Sequence, residues 1–211
     1  KRGECMGRPN YLDQVRERID TANPGAVFIP SDFFDIAEAV KINMCLNRLK
    51  ESGELIFVMR GVFAKPRYSS LLQKNVPPYS DDIAKAIARN FGWTIIPCGD
   101  TALNVLGLST QVPATWLYIS DGPYKKYQVD GITLQFKHTD NKNEIIEVTY
   151  KTALVVQALK ALGKDSVTDD HIMHLSSKLT QDEKAIMLTE SQRVTAWVYE
   201  IIKKICAEVH Q

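Results

Sequence analysis

The sequence is short of net charge: 26 Lys and Arg stand against 25 Asp and Glu in 211 residues, a balance of +1. Such a chain does not announce a nucleic-acid binder. Any DNA affinity has to come from local placement of cations, with a modest salt-sensitive phosphate component. Cysteine is equally sparse. Cys5, Cys45, Cys98 and Cys206 lie far apart, with no C-x-x-C and no Cys/His group at zinc spacing. Neither a disulfide framework nor a zinc module is expected, and the reading is a reduced, cytosolic protein. There is no signal peptide and no apolar run long enough to span a bilayer, so no membrane partner is expected. The chain lacks G-x-S-x-G, a P-loop and G-x-G-x-x-G. It also lacks internal repeats and low-complexity segments. Lys1 to Arg8 have neither a starting Met nor periodicity and are set aside from the fold.

What is present is globular: 45% hydrophobic and 24% charged residues, enough for one large or two small domains. The most informative stretch is Ser31 to Lys65. Ser31 is a suitable N-cap for a short support helix with Phe33, Phe34 and Ile36 inward. A second helix is expected from about Glu38 to Ser52, its inner face Ile42, Cys45, Leu46 and Leu49. Lys41, Met44, Asn47, Arg48 and Glu51 then point outward, flanked by Asn43 and Lys50. Gly53 ends this helix, Leu55 to Met59 reads as a strand, Arg60-Gly61 as a turn and Val62 to Ala64 as the return strand. Preceded by a helix at Tyr11 to Thr21, this succession reads as a winged helix-turn-helix, with Val27 to Ile29 available as a third strand. Arg grips guanine and Asn grips adenine through paired hydrogen bonds, while Lys and Arg neutralise phosphates. The candidate DNA-binding set is therefore Lys41, Asn43, Met44, Asn47, Arg48 and Lys50 on the helix, with Arg60, Lys65 and Arg67 along the wing. The plainer reading of such a face is a solvated helix on a dimerisation or scaffold module.

Pro66 to Ser80, with Pro77-Pro78, reads as an extended linker. Beyond it come a helix from Ser80, a strand at Thr94 to Ile96 and a short helix from Gly99 to Leu106. Strands follow at Thr115 to Ser120, Tyr124 to Val129 and Ile132 to Lys137, the last two joined by the hairpin signal Asp130-Gly131. The remainder is helical: Thr152 to Leu162, apolar nearly all round; helices capped by Thr168 and Thr180, the latter with a capping box; and Val194 to Val209. The expected class is α+β. The winged domain spans 10–67, a linker 68–80, and a mixed domain with a small antiparallel sheet and a helical C-terminus 81–211.

Two motifs carry a resemblance. The wing run Arg60-Gly61-Val62-Phe63-Ala64-Lys65-Pro66 is one. The other is Pro97-Cys98-Gly99-Asp100-Thr101-Ala102-Leu103-Asn104-Val105-Leu106-Gly107-Leu108-Ser109-Thr110-Gln111-Val112-Pro113, followed by Tyr118-Ile119-Ser120-Asp121-Gly122. Both resemble AbiEi-type antitoxins of abortive-infection (type IV toxin–antitoxin) systems and their uncharacterised bacterial relatives, over about Tyr11 to Glu208. The resemblance implies a cytoplasmic, bacterial or phage-borne repressor that binds operator DNA and neutralises a nucleotidyltransferase-like toxin in phage defence; from the residues themselves no catalytic residue, metal or cofactor is expected. Winged repressors often bind DNA as homodimers, although this chain shows no coiled-coil seam.

Two alternatives stay open: a protein-interaction module without DNA binding, and a metal-dependent nuclease. The nuclease would draw on Asp100, Asp121, Asp130, Asp140, Glu144 and the run Gln135-Phe136-Lys137. Asp121 and Asp130 have sufficient explanation as turn residues. His171 and His174, three apart on a helix, have no evident third ligand and read as capping or solvated groups. Tyr124-Lys125-Lys126-Tyr127 fits either a nucleic-acid stacking run or a hairpin edge guarded by lysines.

Overall fold

The computed structural model describes residues 10–141 and 145–207, and the chain divides into two compact units, Lys1–Asn90 and Phe91–Gln211. The protein is α+β: helices with small antiparallel and mixed sheets. No helix among the described residues is long and apolar enough to cross a membrane. Cys5, Glu144, Val209 and His210 lie outside the described residues.

In the first unit α1 (Tyr11–Thr21) starts at Asn10, whose side chain accepts from the Asp13 N–H. Val15 and Ile19 are its buried stripe. The chain then forms β1 (Val27–Phe28), a 3-10 turn (Pro30–Phe33), α2 (Ala39–Glu51), β2 (Ile56–Met59) and β3 (Val62–Ala64). The three strands pair antiparallel in the order β1-β3-β2, Val27 opposite Ala64 and Phe57 opposite Phe63. Phe28, Phe33, Leu55 and Phe63 close over Val15 and Ile19 from α1 and over Ile42, Cys45, Leu46 and Leu49 from α2. The 3.6-residue period places those same four α2 residues inside.

The support helix expected from Ser31 is instead the 3-10 turn. Pro30 at its first position and the Asp32 carboxylate, which accepts the Ile29 N–H at 2.9 Å, start it, and it ends at Phe33. Ser31 makes no cap, and Phe34 is 51% exposed rather than buried. Arg18 of α1 anchors this turn and the residues just beyond it, reaching both Asp35 oxygens at 2.8 and 2.6 Å and the Asp32 carbonyl at 2.7 Å.

The expected linker 68–80 is also structured. Arg67–Ser69 (β4) pairs antiparallel with Lys74–Val76 (β5), and the tip turns at Gln73 with φ +50°. The first unit runs on to Asn90 and takes in nearly all of α3 (Ser80–Phe91), so the boundary falls at 90/91 rather than 67 to 81.

The second unit contains β6 (Ile95–Pro97), α4 (Asp100–Leu106), β7 (Thr115–Ser120), β8 (Lys125–Val129) and β9 (Ile132–His138). It ends in α5 (Tyr150–Leu162), α6 (Asp169–Ser177), α7 (Gln181–Glu190) and α8 (Ala196–Ala207). The sheet is mixed, not antiparallel: in the order β6-β7-β9-β8, β7 and β9 run parallel. The turn after β7 explains this. The Asp121 carboxylate accepts the Thr94 N–H at 2.8 Å, and His138 Nδ1 lies 2.8 Å from the Gly122 carbonyl. These ties carry the chain past the end of β9, so β8 pairs outside it. The helices pack around α5, which is buried from Thr152 to Leu159. Thr149, Thr168 and Thr180 cap α5, α6 and α7, and Glu183 completes the box on Thr180.

His138 gives this unit a pH dependence. Its ring also meets Asp140 Oδ1 at 2.9 Å, and the Gly122 carbonyl followed by Asp140 raises its pKa above the ordinary histidine value. Only the imidazolium has an N–H for each acceptor. The stabilisation is therefore complete below the unfolded-state pKa and is lost as pH rises through the higher folded one. Melting followed from pH 5.5 to 8.5 is expected to show a decline that flattens in His138→Gln; an unchanged profile in that variant would refute the assignment.

Candidate nucleic-acid interface

At about 3.6 residues per turn, burying Ile42, Cys45, Leu46 and Leu49 forces Val40, Met44, Asn47 and Glu51 into one line along the opposite face of α2. Lys41 and Arg48 flank that line on one side, Asn43 and Lys50 on the other. The structure brings all six helical candidates to this face, Lys50 partly buried and the rest exposed. Val40 is 70% exposed and Met44 53%.

Several of these side chains are uncommitted. Asn47, Arg48, Lys50 and Arg60 make no hydrogen bond or ion pair among the described residues. Lys41 lies 3.7 Å from Glu38 and 5.3 Å over the Tyr11 ring, while Asn43 donates to the Ala39 carbonyl at 2.8 Å. The helix begins after Glu38, whose side chain does not cap it. Arg48 and Lys41 rim a shallow depression of about 220 Å³ floored by Tyr11, Leu12, Met44 and Cys45.

The β2–β3 hairpin turns at Arg60-Gly61, Gly61 adopting φ +77° as the tight return requires. Arg60 is exposed at its tip. From Leu55 to Ser80 the chain carries Arg60, Lys65, Arg67 and Lys74 and no Asp or Glu. That signal is plain in the sequence and is hidden by the chain-wide balance. Nearby, Arg16 holds the Glu54 carboxylate at 2.6 Å, which together with Ser52 keeps Glu54 below the usual carboxylate range.

Lys65 and Arg67 have partners distant in the chain. Lys65 Nζ donates to the Asp20 and Ala22 carbonyls at 2.8 and 2.9 Å, capping the end of α1. Arg67 Nη2 donates to the Pro77 carbonyl at 2.9 Å, and its guanidinium stacks 4.0 Å over the Tyr79 ring. Both cations hold chain segments together.

In the second unit Asp100, Gln135 and Lys137 do converge, on a depression of about 350 Å³ lined also by Pro113, Thr115 and Leu117. Asp100 is the single carboxylate lining it among the described residues. Asp121 is bound to Thr94, Asp130 occupies the β8–β9 turn at φ +47°, and Asp140 meets His138. Among the described residues no group of three His, Cys, Asp or Glu is placed to hold a metal ion. His171 completes the cap of α6, and His174 Nε2 lies 2.9 Å from the Leu106 carbonyl. Burial pushes the Cys98 thiol up to about 11, so it stays protonated. Tyr124 and Gln135 are joined through the phenol oxygen at 2.7 Å, and Lys125 and Lys126 lie on the outer strand β8.

The family described as "Family of unknown function (DUF6088)" matches residues 14–187. No curated protein matches the sequence. Among solved structures, the RV2827C protein from Mycobacterium tuberculosis is similar at 15% identity and a TM-score of 0.38, over 94% of this chain and 76% of that one.

Proposed function

This chain belongs to the DUF6088 family, and we propose that it is a sequence-specific DNA-binding protein whose first unit is a winged helix-turn-helix. α2 is the recognition helix and the β2–β3 hairpin the wing. The observation that carries this reading is the pairing of uncommitted Asn47, Arg48, Lys50 and Arg60 side chains with the acid-free run from Leu55 to Ser80. The order α1, β1, turn, α2, β2, β3, with β3 central in the sheet, supports it. Asn47 and Arg48 read base edges, while Lys41, Lys50 and Arg60 meet phosphates. Three phosphate contacts give a slope of about −3 per bound copy for the logarithm of affinity against the logarithm of salt concentration. Binding to a duplex from the region upstream of its own gene, titrated between 50 and 300 mM salt, is expected to show that slope. Salt-independent behaviour, or no shift at all, would favour a surface for protein partners instead.

The biological setting follows the resemblance to AbiEi-type antitoxins: a cytoplasmic autorepressor whose second unit neutralises a nucleotidyltransferase-like toxin. Its test is a neighbouring nucleotidyltransferase gene whose expression arrests growth alone and not together with this protein.

A further inference from the structure

Val40 and Met44 have no place among the polar contacts of a recognition helix, yet they occupy the centre of its exposed face. Valine there offers only two methyl groups, and methionine a flexible thioether. Both are more than half exposed, one helical turn apart, on the N-terminal half of α2. The N-terminal residues of a recognition helix contact base edges, and Asn47 and Arg48 continue the same exposed face toward the C-terminus. The major groove presents one apolar group, the C5-methyl of thymine, beside the acceptors and donors that Asn and Arg take. Resting on the DNA-binding reading, we infer that Val40 and Met44 are specificity residues that receive thymine methyl groups. The recognised site then places thymines beside the bases read by Asn47 and Arg48.

The flanking residues argue for DNA over a protein partner. Lys41, Asn43, Asn47 and Arg48 surround the two apolar side chains. Covering the pair with a dry protein surface would desolvate these polar groups, and interface centres are depleted in charge. A DNA groove satisfies both at once, with phosphates and base edges for the polar groups and methyls for the apolar ones. Glu38 and Glu51 stand at opposite ends of α2, and Glu38 is partly offset by Lys41 at 3.7 Å.

Replacing thymidine by deoxyuridine removes the methyl and leaves the hydrogen-bonding edge intact, so it isolates this contact. Duplexes enriched by the wild-type protein from a random pool are resynthesised with deoxyuridine at each thymidine in turn. Loss of one buried methyl corresponds to about a fourfold weaker affinity, from ~0.8 kcal/mol per methyl. The wild type is expected to weaken by about that factor at one or two positions. Val40→Ala or Met44→Ala should bind the thymidine duplex about fourfold more weakly and be indifferent to deoxyuridine at its own position. Alanine at an exposed helical site does not threaten the fold. Wild-type affinity unmoved by every deoxyuridine, or full sensitivity surviving in both variants, overturns the inference and leaves the DNA-binding reading standing. Failure to enrich any duplex overturns both.

Discussion

Replacing Asn47 and Arg48 together by alanine is expected to abolish specific duplex binding while leaving the protein folded. Both side chains are exposed, lie in the C-terminal half of α2 and have no partner among the described residues, so their loss exposes no buried group. Alanine also has a higher helix propensity than either. Melting should therefore move by no more than a degree or two. Each well-formed bidentate contact to a base is worth about 1–3 kcal/mol. Losing two costs about 2–6 kcal/mol, a weakening of roughly thirtyfold to more than ten-thousandfold at 1.4 kcal/mol per decade. Weak binding to arbitrary DNA should persist, because Lys41, Lys50 and Arg60 remain. The measurement is a pair of titrations, with the enriched duplex and with a scrambled one, at equal salt. Retention of the difference between the two duplexes would sink the roles given to Asn47 and Arg48. The same experiment at Lys65 or Arg67 should read differently. Those variants would lower stability first, because they release the Asp20 and Ala22 carbonyls or the Pro77 carbonyl.

That contrast marks what could be read from the sequence. α1, α2 and the β2–β3 hairpin were legible because their signals are local: a 3.6-residue stripe, a glycine stop and an Arg-Gly turn. The capped helices of the second unit were legible for the same reason, Thr149 excepted, since Thr168 and Thr180 act within three residues of themselves. The part Lys65 plays in closing α1 was not legible, because charge is visible in a sequence and a carbonyl partner 43 or 45 residues away is not. The β4–β5 hairpin was hidden by three-residue polar strands, Arg67–Ser69 and Lys74–Val76, and by a turn that uses Gln73 where glycine is the usual signal. The place of β8 outside β9 depends on His138 and Asp121 holding the Gly122 turn, which no alternation pattern encodes. Val40 is the opposite case. Its position opposite Leu46 and Leu49 follows from helical period alone, but an isolated valine is easily taken for core.

The second large effect is expected at Gly122. A Cβ added there would lie 2.4–2.6 Å from the Cδ2, Cε2 and Cγ atoms of Trp93, far inside contact distance. Neither side can yield freely. The Gly122 backbone is fixed at both ends, its N–H donating to the buried Ser120 hydroxyl at 2.9 Å and its carbonyl facing His138. The indole stacks on Phe91 at 4.7 Å and meets the Phe136 ring at 5.8 Å. Phe136 is itself fully buried, stacked on Tyr118 at 5.6 Å. Gly122→Ala must therefore push the indole out of its stack or break the turn that sends β8 outside β9. Overpacking of this kind costs about 1–3 kcal/mol, and each lost aromatic pair about 0.5–1.5 kcal/mol more. We expect a destabilisation of about 3 kcal/mol, read by chemical denaturation. A double-mutant cycle identifies the cause. In a Trp93→Ala background the added methyl meets no indole, so Gly122→Ala should cost less than about 1 kcal/mol there, a coupling of about 2 kcal/mol between contacting residues. Equal costs in the two backgrounds would show that the methyl is resisted by the turn's own backbone rather than by Trp93.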